Sequence, residues 1–198
     1  MKKNYFYRAV RNAAWFLCKL IFPTKVIGAE NVPADGPVLI CSNHVSMVDP
    51  VLIATSFKRQ ITFMAKKELF ATKFTNWFFT NLGMVPVDRG ASDIAAMRVC
   101  IEALNEGRLL GIFPQGHRYK QDEKRELQNG AAMMALRSKA VVIPAHVSAP
   151  LKAFRMNTIR FGKPVDFSDL VRINSQAITA ASSRIAEGIW QEEKEHGC

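Results

Sequence analysis

Val38-Leu39-Ile40-Cys41-Ser42-Asn43-His44-Val45-Ser46-Met47-Val48-Asp49-Pro50 decides the fold class. The run from Val38 to Cys41 is short and wholly apolar, the signature of a buried strand. It passes directly into a polar loop, and Asp49-Pro50 then reads as a helix start, with Asp49 as N-cap and Pro50 at the first helical position. Strand, polar loop and helix in succession form the unit of an α/β domain. In such domains, functional residues gather in loops at the carboxyl ends of the strands.

Working outward, the pattern repeats. Ile61 to Met64, Met84 to Val87, Leu109 to Phe113, Val141 to Val147 and Asn157 to Phe161 read as strands. Helical segments fall between them at Lys73 to Leu82, Ser92 to Glu106 and Ala131 to Lys139, and Asn174 to Glu195 closes the chain. Gly83 suits the end of the first of these helices. Ser92 caps the second and Gly107 ends it, with Ile94, Met97, Ile101 and Leu104 as its buried stripe. The chain has 198 residues, enough for one domain with a real core. It shows no fixed-period repeat, low-complexity stretch or interior linker. The expected fold is a single α/β domain over residues 24–198, a central sheet flanked by helices.

Residues 1–23 are expected to precede it as an amphipathic, membrane-associating helix. Lys2, Lys3, Arg8, Arg11 and Lys19 stand among aromatic and aliphatic residues, and Phe6, Val10, Ala13, Leu17, Leu20 and Ile21 follow a helical stripe. A helix docked on the core fits the same stripe, and both readings stay open. Lys19 interrupts the apolar region and no small-residue cleavage site follows, unlike a signal peptide. No apolar run approaches the roughly 20 residues that span a bilayer.

Lys and Arg outnumber Asp and Glu by 27 to 17, a net +10. That balance favours a polyanionic partner: nucleic acid, an anionic membrane or a phosphorylated substrate. Nothing resembles a nucleic-acid motif. Cys18, Cys41, Cys100 and Cys198 form no C-x-x-C and read as reduced thiols of a cytosolic setting. His44, His117, His146 and His196 have no metal-ligand spacing, so no metal or cofactor is expected. His146, on an apolar strand, reads as structural.

Two polar clusters directly follow buried strands: Ser42 to Asp49, and Phe113-Pro114-Gln115-Gly116-His117-Arg118. On a continuous helix, five residues would turn Asp49 about 140° away from His44. The pair meets only if the chain turns between them, which the Pro50 helix start allows. A carboxylate on one imidazole nitrogen fixes the tautomer and leaves the other as acceptor, so His44 becomes a base for a hydroxyl. No G-x-S-x-G is present, so direct attack by a substrate hydroxyl suits the pattern better than a covalent enzyme intermediate. The alternative is that Asp49 only caps its helix.

Asn43 to Asp49 resembles the N-H-x-S-x-x-D block of the glycerophospholipid acyltransferases, which include the bacterial 1-acylglycerol-3-phosphate acyltransferases. Three further blocks follow in that family's order. Lys66-Lys67-Glu68-Leu69 with Gly83 through Val87-Asp88-Arg89 resembles its second motif. Phe113 to Arg118 resembles F-P-E-G-T-R, and Val142-Ile143-Pro144-Ala145 resembles its fourth block. Gly130-Ala131-Ala132 precedes that block as a small-residue helix does in the family. The resemblance runs from the first strand to Val147, and more loosely to Val165.

The resemblance implies that His44 and Asp49 are catalytic. The reaction implied is transfer of an acyl group from acyl-CoA or acyl-carrier protein to the sn-2 hydroxyl of lysophosphatidic acid, at the cytoplasmic face of an anionic membrane, giving phosphatidic acid. Lys66, Arg89, Gln115, Gly116 and Arg118 are the implied substrate-binding residues, with Arg118 on the acceptor phosphate. Gln115 departs from the family's Glu and His117 from its Thr, departures that bear on the acceptor more than on the reaction class. Glycerol 3-phosphate or another lysolipid as acceptor, water as acceptor in a thioester hydrolase, and a non-catalytic binding module are the competing readings. Trp77, Phe78 and Phe79 are candidates for an acyl-chain cleft, or for plain packing.

Overall fold

The computed structural model describes residues 4–87, 94–116 and 127–194. They form a seven-stranded mixed sheet of order β1-β7-β6-β2-β5-β3-β4. The strands are β1 (Thr24–Ile27), β2 (Val38–Ser42), β3 (Ile61–Lys66), β4 (Val85–Val87), β5 (Leu109–Ile112), β6 (Val141–Val147) and β7 (Asn157–Phe161). The run β6-β2-β5-β3-β4 is parallel throughout, β7 is antiparallel to β6, and β1 is parallel to β7. The apolar run that opens the sequence reading is thus a central strand, buried on both faces.

Six helices accompany the sheet: α1 (Tyr5–Ile21), α2 (Asp49–Thr55), α3 (Lys73–Asn81), α4 (Ile94–Asn105), α5 (Gly130–Ser138) and α6 (Ser175–Lys194). On one face, Leu39, Leu110, Ile112 and Val142 pack with Cys100 and Leu104 of α4, Ala132 and Ala135 of α5, and Ile185 and Ile189 of α6. On the other, Ile40, Phe63, Leu109 and Ile143 meet Leu52 and Ile53 of α2, with Cys18 and Phe22 at the end of α1. Pro144 sits inside central β6 because its missing N–H falls where β7 has ended. Its carbonyl there accepts the N–H of Gly162.

Several sequence expectations shift. The stripe expected of α4 is rotated: Ala96, Cys100, Ala103 and Leu104 are buried, Met97 and Ile101 are half-buried, and Ile94 is exposed. Small residues turn inward because α4 packs against the alanine-rich α5. Gly107, at φ 76, closes α4 with paired bonds from Gly107 N–H to Leu104 O and Arg108 N–H to Ala103 O. Gly83 closes α3 the same way. Ser92 lies outside the described residues. β1 was not anticipated; its Thr-Lys start carries no apolar signal, and β7 holds it.

The docked side of α1 is also not the expected stripe. Tyr7 is buried; Phe6, Val10, Arg11, Ala14 and Cys18 are half-buried; Ala13, Leu17 and Leu20 face outward. Polar bonds seat the helix. The Tyr7 hydroxyl accepts Ile61 N–H at 3.2 Å, and Arg11 donates to Phe57 O at 2.6 Å. Among the described residues no helix is long and apolar enough to cross a membrane.

Candidate active site

The chain leaves β2 at Ser42 and must turn back to enter α2. Buried Asn43 fixes the departure, accepting Val147 N–H at 2.7 Å and donating to Val147 O at 2.9 Å. This two-way clamp ties the loop to the end of β6 as a backbone pair would, a role that its place in the polar cluster did not disclose. The next residue, His44, is thereby aimed along the carboxyl edge of the parallel strands.

Asp49 closes the turn. It is fully buried at the first position of α2, which starts one residue earlier than expected, since Val48 is the N-cap and makes no side-chain cap bond. The Asp49 carboxylate faces upstream instead. Its Oδ2 lies 2.9 Å from His44 Nδ1 and accepts the N–H groups of Val45 and Ser46 at 2.7 Å each. The helix-cap alternative therefore gives way to a loop-closing role. A carboxylate oxygen only accepts, so Nδ1 carries the proton and Nε2 is left with a lone pair. The other oxygen, Oδ1, is buried without a partner.

The ring of His44 stacks on Phe113 at 4.1 Å between centroids, and Phe113 stacks on Phe63 at 6.0 Å. Gly111 makes this ladder possible: a Cβ there would fall 2.4 Å from the Phe63 ring. Neither Phe113 nor Gly111 carried a role in the sequence reading, because a strand glycine and a motif phenylalanine look like packing until the rings are seen in register.

The second cluster arrives beside the first. Pro114 and Gln115 form a turn closed by Gly116 N–H donating to Phe113 O at 3.0 Å. Gly116 sits at φ 75, and a Cβ on it would meet the Gln128 amide nitrogen at 2.6 Å. Gln115 is only 4 % exposed, and its Oε1 accepts the main-chain N–H of His44 at 3.2 Å. Gln115 thus holds the His44 loop directly. Lys66 ends β3 at the same sheet edge, opposite Val87, with its side chain exposed. Arg89, His117 and Arg118 lie outside the described residues.

Near this edge an apolar cavity of about 240 Å³ opens between α1, α2, α3 and β3. Val51, Ile61, Phe63, Phe78, Phe79 and Met84 line it. Phe63 belongs both to this lining and to the ring ladder of His44. Trp77 stays largely exposed against Phe6. Cys41, two residues before Asn43, is fully buried, and burial pushes its thiol well above the usual range, so it offers no thiolate. His146 is buried edge-on to Trp190. Among the described residues no group of three or more His, Cys, Asp or Glu could hold a metal.

Comparison with known proteins identifies the family and the fold. The Acyltransferase family model matches residues 23–148. A Bacillus subtilis protein named 1-acyl-sn-glycerol-3-phosphate acyltransferase is 32% identical over 182 residues, covering 88% of this chain and 90% of that one. A Streptococcus pneumoniae protein of the same name is 31% identical over 76% of this chain, which spans 58% of its length. The crystal structure of the 1-acyl-sn-glycerophosphate acyltransferase of Thermotoga maritima superposes with TM-score 0.68 over 95% of this chain and 78% of that one, at 21% identity.

Proposed function

From the premise that this chain belongs to the acyltransferase family, we propose that it transfers a fatty acyl group from a thioester to the sn-2 hydroxyl of lysophosphatidic acid, making phosphatidic acid for phospholipid synthesis. The observation that carries the mechanism is the 2.9 Å contact between His44 Nδ1 and buried Asp49 Oδ2. Nε2 takes the proton as the acceptor oxygen attacks the thioester carbonyl. The new C–O bond forms, the C–S bond breaks, and the imidazolium returns its proton to the departing thiolate. Asp49 stabilises the imidazolium while it lasts. No metal or cofactor takes part; the thioester, acyl-CoA or acyl-carrier protein, is a co-substrate.

The acyl tail fits the apolar cavity beyond Phe63, and the acceptor phosphate is assigned to Arg118, helped by Lys66 and Arg89. Gln115 and Gly116 complete the proposed substrate contacts. The chain works at the surface of an anionic membrane on the cytoplasmic side. Trp15, Phe16, Leu17 and Leu20 on the outward side of α1, with Lys19 lying 5.0 Å over the Trp15 ring, support that placement.

The test is transfer of labelled acyl groups from acyl-CoA and from acyl-carrier protein to lysophosphatidic acid on anionic vesicles, with glycerol 3-phosphate, other lysolipids and water as competing acceptors. Labelled phosphatidic acid that disappears with His44→Ala supports the reading. Free fatty acid with no lipid product would replace it with a hydrolase.

A further inference from the structure

The loop between β6 and β7 presents Phe154 and Met156 to solvent, 75% and 70% exposed. Phe154 also stands at φ 57, a left-handed conformation costly for a bulky side chain. Strain at an exposed phenylalanine contributes nothing to packing, yet the surroundings enforce it. Phe154 N–H donates to Ile21 O at 2.6 Å, at the end of α1. Asn157, buried, accepts Lys152 N–H at 2.8 Å, and donates to Lys152 O at 2.9 Å and Arg155 O at 2.8 Å. Its own N–H reaches Pro23 O at 2.8 Å. The loop is therefore a stiff tip bolted to the end of α1, where Leu20 and Ile21 are exposed too.

The surrounding charge has one sign. No acidic residue occurs from Met1 to Ala29 or from Leu127 to Val165, while Lys152 and Arg155 flank the tip and Lys25 is exposed on neighbouring β1. β6 runs parallel to β2, so the tip leaves the same sheet edge that carries His44.

We propose that this loop is a second membrane-docking element: Phe154 and Met156 enter the interface of an anionic bilayer beside the end of α1, and Lys152 and Arg155 meet its headgroups. The inference rests on the membrane placement proposed above. It adds that docking is two-pronged, so the catalytic edge is turned toward the bilayer that holds the acceptor.

Cosedimentation of the full chain with phosphatidylglycerol–phosphatidylcholine vesicles tests it. Three variants are compared: Phe154→Gly with Met156→Ser, Phe154→Trp, and Leu17→Ser with Leu20→Ser. Glycine accepts the positive φ, so the first variant relieves strain and keeps the fold. Its vesicle affinity is expected to fall about tenfold, with acyl transfer to an acceptor in detergent unchanged; Phe154→Trp is expected to bind at least as well. If the loop variant binds like the parent while the α1 variant does not, the loop proposal fails and the membrane reading stands. If the parent chain itself does not sediment with vesicles, both fail. Loss of transfer in detergent would also overturn the proposal, showing the loop to be a prop for the active site.

Discussion

The two faces of the sheet are packed to different standards. On the side of α4, α5 and α6, small residues such as Ala96, Ala103, Ala132, Ala135 and Ala181 are buried and bring helices close. On the side of α1, α2 and α3, aromatic rings stand around a cavity of about 240 Å³, and single polar bonds from Tyr7 and Arg11 hold the outer helix. A tight layer gives stability and a loose one gives room. The His44–Asp49 pair sits at the edge between them, where strands β2 and β5 release their loops. The contrast teaches that the site borrows rigidity from one face and space from the other.

That comparison can be broken in order of expected effect. His44→Ala removes the proposed base together with the outermost ring of the stack on Phe113 and Phe63; turnover should fall by about 10³-fold or more, while the thermal midpoint drops only slightly. A large fall in both would show that the edge also holds the layers together. Asp49→Asn is next. The N–H groups of Val45 and Ser46 and His44 Nδ1 all donate to one oxygen, so the amide oxygen should take that place and preserve the tautomer. Only the charge behind the imidazolium is lost, an expected cost of about 10²-fold in kcat with little change in KM. An unchanged kcat would remove Asp49 from catalysis and leave it as a loop fastener.

The last pair compares the faces directly by the same enlargement. Ala132→Leu, at a fully buried position of the alanine-rich face, should cost about 1–3 kcal/mol in denaturant unfolding. Ala54→Leu, pointing into the cavity, should change stability by no more than about 1 kcal/mol and should shift acyl preference toward shorter chains. Equal penalties at the two positions would mean that the faces are packed alike.

Much of this was readable in the sequence, for identifiable reasons. Val38 to Cys41 announced itself because a strand buried on both faces is apolar along its run. The His44–Asp49 turn was inferable because Asp49-Pro50 breaks the chain in the right place. The rest depended on tertiary contacts that spacing does not encode. Apart from Leu104, which was expected there, the inward face of α4 is made of alanine and cysteine, which a search for large apolar residues passes over. The docked side of α1 is set by Tyr7 and Arg11, polar residues that find main-chain partners on other elements. Gln115 stood out from its motif as a substrate contact, and the bond its oxygen accepts from His44 N–H is a further tie that spacing does not encode.

Gln128 N–H donates to Pro114 O at 2.7 Å, so the described chain resumes beside the turn at which it breaks off. An excursion pinned at its neck can lengthen, shorten or change composition for little more than loop-closure entropy, about 0.6 kcal/mol per doubling of length. The segment 117–126 carries His117 and Arg118, so on the proposal that Arg118 holds the acceptor phosphate, descendants of such a chain can try new acceptors by redrafting one short stretch, without renegotiating the fold around it.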